Sequence, residues 1–318
     1  MGGLLSELGK RLAERWLSLL VLPGALFLAA AFTARTLGHS HPFDLDRLIH
    51  EVEALLTPAG AGAGARLALL LLLVALLAAA VGIVAQTLGS LVERLWLAAD
   101  WASWPRPMRT FAGWRVKRRR RRRTAAETAY EDERRRAGEL LAAGGSESGP
   151  ELGPARLAIT RVSQEEPHRP TWAGDRVHAV ALRFARDLDL DLATVWPSLW
   201  QLLPDAPRQQ IESAREALGR ATTLVAWALL YAVLGVWWWP GLPIAAAVFV
   251  TAWLRIRDAA DAYAALIEAS VHLYAGELAE RLGIAHTGMF GRRTGWEMTC
   301  LLQGRRHLID LTADQPQS

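Results

Sequence analysis

Residues 67–92, LALLLLLVALLAAAVGIVAQTLGSLV, carry no charge, and how they are read decides the fold. A helix needs about 20 consecutive apolar residues to cross a hydrocarbon core about 30 Å thick. This run is long enough, and its neighbours repeat the signal. Residues 16–34 are uncharged, and residues 221–254 are uncharged but broken by Pro240, Gly241 and Pro243 into two arms. The pattern predicts an all-α protein with four transmembrane helices and a helical cytoplasmic body.

Hydrophobic residues make up 52% of the 318, so much of the chain is committed to lipid. The longest polar block, residues 93–220, has room for one small helical domain. The lone cysteine, Cys300, excludes an internal disulfide and any cysteine-based metal motif and reads as an inert thiol. Residues 16–34 follow Lys10, Arg11 and Arg15 as a signal peptide would, but their length and the later span predict a retained anchor.

Positive charge resists translocation, so cytoplasmic flanks gather Arg and Lys. Lys10, Arg11 and Arg15 precede the first span, Arg118 to Arg123 follow the second, and Arg255 and Arg257 follow the last. The loop of residues 35–66 sets Arg35, Arg47 and Arg66 against Asp44, Asp46, Glu51 and Glu53. These markers predict a multi-pass plasma-membrane protein with both termini cytoplasmic. Trp237, Trp238 and Trp239 fall at the outer boundary, and Trp96, Trp101, Trp104 and Trp114 at the inner one. Residues 90–104 continue a helical pattern, ended by Pro105 and Pro107, that suits a helix along the inner interface.

Expected divisions are residues 1–104 (spans at about 16–34 and 67–88 plus the interfacial helix), 105–154 (basic segment and linker), 155–220 (helical subdomain), 221–256 (membrane hairpin) and 257–318 (cytoplasmic helix and tail). The basic segment holds eight basic residues in nine positions: Arg115, Lys117, Arg118, Arg119, Arg120, Arg121, Arg122 and Arg123. Nothing that basic is expected to pack in a core. Just inside a span, such a cluster attracts anionic headgroups at roughly 1 kcal/mol per residue. Its lack of interleaved aromatics argues against nucleic acid. A polar helix with Glu131, Asp132 and Glu133 three residues ahead of Arg134, Arg135 and Arg136 follows, then the linker at residues 144–154.

Beyond the linker, Thr171 is an N-cap candidate for a helix carrying Val177, Val180 and Phe184, and Val195, Leu199 and Leu202 share the face of the next helix, with Pro197 in its first turn. Pro170-Thr171 with Gly174-Asp175, then Trp196-Pro197-Ser198-Leu199-Trp200 and Pro204, resemble a block in multi-pass membrane proteins of actinobacteria. Leu12 to Trp16 resemble their amino-terminal end, and Asp175 and Ser198 depart from the block. The resemblance implies a membrane protein and brings no catalytic role.

Motifs for catalysis are missing: no phosphate-binding glycine loop, zinc-protease helix or nucleophile elbow. Asp187, Asp189 and Asp191 lack the glycine and glutamate of a calcium loop, and His39, His41, Asp44, Asp46 and His50 form only a loose cluster in the outer loop. No cofactor, no metal and no catalytic residue is therefore expected. Small residues at Ala25 and Ala29, and at Ala78 and Gly82, are spaced for close helix packing.

At about 1.5 Å per residue, Arg255 lies only about 18 Å from the Pro243 turn, below the hydrocarbon boundary. Arg255, Arg257, Asp258 and Asp261 are thus a candidate intramembrane polar cluster, with pairing expected between Arg255 and Asp258 and between Arg257 and Asp261. Residues 259–282 continue as an amphipathic helix to Gly283, and in the tail only residues 296–302 are expected to order. The expected function is a non-enzymatic membrane anchor or scaffold that docks anionic lipid and a protein partner at its cytoplasmic face. An oligomeric channel or, less favoured, a membrane enzyme is the alternative, and homo-oligomerisation is left open.

Overall fold

The uncharged leucine run folds as the helix it predicts. The computed structural model describes residues 21–56, 63–97, 101–142, 152–284, 290–307 and 309. Among the described residues there are ten α-helices and no strand. They are α1 (Leu22–Leu37), α2 (Leu45–Leu56), α3 (Ala63–Leu97), α4 (Arg106–Ala142), α5 (Leu152–Val162), α6 (Trp172–Leu188), α7 (Leu192–Leu202), α8 (Asp205–Leu234), α9 (Gly241–Arg281) and α10 (Arg292–Leu302), with a 3₁₀ turn at Trp101–Ser103. The start of the first expected span and most of the expected linker lie outside the described residues.

Among the described residues, two helices are long and apolar enough to cross a membrane, Gly64–Leu97 and Asp205–Leu234, where four were expected. α1 has 16 described residues and falls short. α9 begins apolar, but Arg255, Arg257 and Asp258 interrupt it before a spanning length is reached. No break separates residues 90–97 from the apolar part of α3, so the expected interfacial helix is replaced by the end of α3 and the 3₁₀ turn. The basic run and the polar stretch after it are likewise one helix, α4, which starts after Pro105 with Pro107 in its first turn.

The chain divides into two compact units, Met1–Glu93 with Gly219–Arg255 and Arg94–Leu218 with Ile256–Ser318. In the first, α3 turns a stripe of small residues inward: Ala78, Gly82, Ala85 and Gly89 are buried at helical spacing. Backbones approach closely there, since a Cβ on Gly24 would stand 2.1 Å from the Ala78 carbonyl oxygen and one on Gly89 would stand 2.9 Å from Thr223 Cα. Small residues let helices meet this way. Ala78 and Gly82 belong to the expected pairs; Ala29 faces outward, and Gly24 makes the contact instead. Phe27 of α1 packs on Trp227 and Tyr231 of α8.

Outward, α3 exposes Leu69, Leu71, Leu72, Leu73 and Leu76. Only 11% of its most apolar window is buried, against 44% for α8. A helix that is apolar all round needs an apolar surrounding, and the described residues do not supply it for α3.

The second unit has a conventional core. Val180 and Phe184 of α6, Val195 and Leu199 of α7, Ile267, Val271 and Leu278 of α9, and Met298 of α10 are buried together. Thr171 caps α6 by accepting from the Gly174 N–H (3.1 Å), and Asp191 caps α7 through the Ala193 N–H (3.1 Å). Pro197 sits in the second turn of α7, a turn later than expected, so the Ala193 carbonyl loses its helical N–H partner. Cys300 is buried in α10, which begins at Arg292, earlier than the order expected from residue 296.

Candidate functional site

Consecutive residues on a helix point about 100° apart, so six arginines in a row cannot share one surroundings. α4 therefore sorts its basic run by direction. Ala112, Val116, Arg119 and Arg123 face inward; Ala112 and Val116 are buried, and the Arg119 side chain is 13% exposed. The expectation that nothing so basic packs inside is corrected for Arg119 and Arg123. The cause is a local surplus of acceptors where the chain leaves α5.

Arg119 Nη2 donates to the Val162 carbonyl (2.9 Å) and lies 3.0 Å from Asp175 Oδ2. Arg123 Nη1 donates to the Ser163 carbonyl and hydroxyl (both 3.2 Å), and its Nε donates to Glu127 (2.6 Å). Arg120 Nε donates to the Pro167 carbonyl (2.8 Å) and pairs with Glu166 (3.1 Å). The arginines thus satisfy carbonyls at and beyond the α5 end that have no helical N–H partner.

Asp175 is the hub. Its Oδ1 accepts the His168 and Arg169 N–H groups at 2.9 and 2.6 Å. Burial pushes the Asp175 carboxyl up and the Arg119 guanidinium down, and each charge opposes the other's shift. We assign the charged pair, because the two backbone donors also favour the carboxylate. Among the described residues, Arg119 Nη1 and Arg176 Nη1 are buried with no hydrogen-bond partner, which makes the cluster costly to disturb.

The same corner grips the last turn of α3, which belongs to this unit. Thr171 Oγ1 donates to the Trp96 carbonyl and Arg169 Nη1 to the Leu97 carbonyl (2.7 Å), so helix-end acceptors of α3 are met by α6 and the loop before it. Gly174 permits this approach, since a Cβ there would stand 2.7 Å from the Leu97 carbonyl oxygen. Trp101 Nε1 donates to the His168 carbonyl (2.9 Å).

His178 sits beside this network. Arg169 Nη2 lies 3.4 Å from its Nδ1, and since the guanidinium can only donate, the ring proton belongs on Nε2. Burial, then Arg169 and His168, hold His178 down to about 4. A histidine depressed in the folded chain contributes stability above its unfolded pKa of about 6.5 and loses it as pH falls through the folded value. Unfolding measured between pH 7 and 4 should therefore show an acid-side loss that is smaller in His178→Gln. Asp175 titrates with the opposite sign, so the wild-type minus variant difference isolates the histidine. Identical curves would remove the assignment.

Outward, α4 presents a different surface. Phe111, Trp114, Arg115, Arg118 and Arg122 recur at helical spacing, with Phe111 59% and Trp114 52% exposed. Phe111 lies 5.9 Å from Trp114, and Arg118 stacks over Trp114 at 5.4 Å. Lys117 and Arg121 are exposed beside this face. Further along, Asp132 pairs with Arg135 (3.6 Å) and Glu133 with Arg136 (3.1 Å), as spacing predicts.

The candidate intramembrane cluster is dispersed. Asp261 is taken by Arg176 of α6 at 2.5 Å in place of the expected intrahelical pair. Arg257 lies 4.3 Å over the Trp172 ring; Arg255 and Asp258 are exposed. The aspartates at the end of α6 and before α7 have structural duties: Asp187 meets Arg186, Asp189 closes α6 in the left-handed region (φ 50°) and holds Arg292, and Asp191 caps α7. Between α1 and α2 and at the start of α2, His39 Nδ1–H donates to the Trp237 carbonyl (2.7 Å), His41 Nδ1 lies 3.1 Å from Ser40 Oγ, and Asp44 accepts the Arg47 N–H (3.1 Å). Among the described residues no metal-binding group of three such side chains forms.

A groove of about 420 Å³ opens beside α7 and α8, floored by Trp196, Trp200, Ile211 and Tyr263 and edged by Glu212 and Arg215. Compared with known families, with curated proteins and with solved structures, the chain matches none.

Proposed function

We propose that this is an integral membrane anchor or scaffold whose cytoplasmic helical body docks anionic lipid, and a protein partner, beside the membrane. The supporting observation is the division of α4: its inner arginines are bound to protein, while Phe111, Trp114, Arg115, Arg118, Arg121 and Arg122 remain exposed. An exposed aromatic pair followed by a basic ridge suits a membrane surface, with rings at the lipid boundary and guanidinium groups at phosphates. On this reading α3 and α8 span, α1 and the apolar arm of α9 complete four spans, and both termini are cytoplasmic. The aromatic groove by α7 supports a place for the partner. The channel alternative is weakened, because Arg257 and Asp261 are engaged with α6.

The test uses the full chain in nanodiscs of phosphatidylcholine, with or without phosphatidylglycerol. A spin label at Ala125→Cys, on the exposed side of α4, is read in a Cys300→Ser background. Anionic lipid should bring the label close to lipid-borne relaxation agents. Added salt should weaken the effect, since charges are screened within about 10 Å at 0.1 M. Replacing Arg115, Arg118, Arg121 and Arg122 with Gln should abolish it. Equal approach in both lipids, or no change on replacement, would remove the lipid role.

A further inference from the structure

The segment between α1 and α3 holds a second amphipathic surface. In α2, Leu45, Leu48, Ile49 and Val52 fall at i, i+3, i+4 and i+7, so they form one apolar stripe. Asp46, Arg47, His50, Glu51 and Glu53 lie off that stripe, and Ala54, Leu55 and Leu56 end the helix. A helix docked on protein would bury such a stripe. Here Leu45 is 66%, Ile49 54% and Val52 38% exposed.

The exposed stripe continues into other apolar groups of the same unit. Trp238 Nε1 donates to the Pro42 carbonyl (3.0 Å), His39 donates to the Trp237 carbonyl, and Phe43 meets Trp239 edge-on at 5.9 Å. These contacts tie the entrance of α2 to the turn between α8 and α9. Phe43, Trp237 and Trp239 are themselves 68%, 59% and 44% exposed. Indole rings favour the boundary between water and lipid, and this turn ends a helix long and apolar enough to cross a membrane.

We propose that α2 lies along the lipid–water boundary at this end of the unit, with Leu45, Ile49 and Val52 on the hydrocarbon side. The proposal rests on the reading that α3 and α8 span. Charge selects the lipid. The polar face carries three acids (Asp46, Glu51, Glu53) and one base (Arg47), a net −2 with His50 neutral. It therefore gains nothing from anionic headgroups, and neutral phosphatidylcholine suffices. Attachment is apolar and insensitive to salt, in contrast with the basic face of α4.

The experiment labels the full chain in a Cys300→Ser background at Ile49→Cys, Val52→Cys, Arg47→Cys and, as reference, Leu71→Cys on the exposed side of α3. Each variant is reconstituted in phosphatidylcholine with bromines either near the headgroup or at mid-chain. Labels at 49 and 52 should lose roughly half their fluorescence to the shallow bromines, as expected for a helix buried about 5–10 Å into the boundary. The label at 47 should lose little, and 1 M salt should change neither result. If 71 is quenched but 49 and 52 are not, α2 is covered by protein or water and the proposal falls while the spanning reading stands. Energy transfer between copies at 49 would then identify a second chain as the cover. If 71 also escapes quenching, the spanning reading falls and takes the proposal with it.

Discussion

Arg119→Leu should lower stability by about 3–5 kcal/mol, whereas Arg118→Gln and Arg122→Gln should stay within about 0.5 kcal/mol of the wild type. All three positions lie in one unbroken arginine run. The difference is burial: Arg119 faces Asp175 at 3.0 Å with both side chains largely enclosed, whereas Arg118 and Arg122 face outward. Removing Arg119 leaves a carboxylate already pushed toward protonation by burial, without the charge that opposes that shift. Oδ1 keeps its two backbone donors, which places the expected loss toward the lower end. Adding Asp175→Asn to Arg119→Leu should recover part of the loss, since no buried charge then lacks a partner. Thermal unfolding of the purified full chain in detergent measures this; at roughly 2–4 °C per kcal/mol, Arg119→Leu should melt about 10 °C lower. A melting point equal to that of Arg122→Gln would show that the inner pair holds nothing together.

The long apolar helix α3 was legible because a charge-free run longer than a bilayer requires leaves few alternatives. The sorting of α4 was less legible, because a run of like charges hides helical direction. The signal was present all the same: Ala112, Val116, Arg119, Arg123, Ala126 and Tyr130 recur at helical spacing, and all are buried or partly buried. Counting Arg119 and Arg123 as members of that stripe, beside the apolar residues, would have found them. The Asp261 partner was illegible for another reason. Arg176 is 85 residues away, and only tertiary packing chooses it over the nearer Arg257. The Pro-Thr-x-x-Gly-Asp block acquires a physical reading: Thr171 bonds the end of α3, Gly174 gives it room, and Asp175 gathers backbone donors and Arg119. These duties concern packing and make no claim on chemistry.

Gly→Ala substitutions at two helical sites should have opposite signs. At Gly295, near the start of α10, a Cβ would stand 2.0 Å from the Leu188 carbonyl oxygen and 3.4 Å from Leu190 Cβ. The obstacle is backbone, so α10 must lift away from the corner between α6 and α7. Lifting would strain the Arg292 to Asp189 pair (2.9 Å), the Asp191 N–H to Thr299 hydroxyl bond (3.0 Å) and the seat of fully buried Met298. Overpacking costs about 1–3 kcal/mol or more, which outweighs the gain of roughly 1 kcal/mol from alanine's helix propensity. Gly295→Ala should therefore lose about 2 kcal/mol and the bulkier Gly295→Val about 3 kcal/mol or more. At Gly138, on exposed α4, nothing stands within 4 Å of the new Cβ. Gly138→Ala should gain about 0.5–1 kcal/mol by reducing the freedom of the unfolded chain. Melting of the three variants side by side separates tertiary crowding from propensity. If Gly295→Ala melts at or above the wild-type temperature, α10 does not rest on the Leu188 carbonyl as described, and the packing of this end of the helical core must be redrawn.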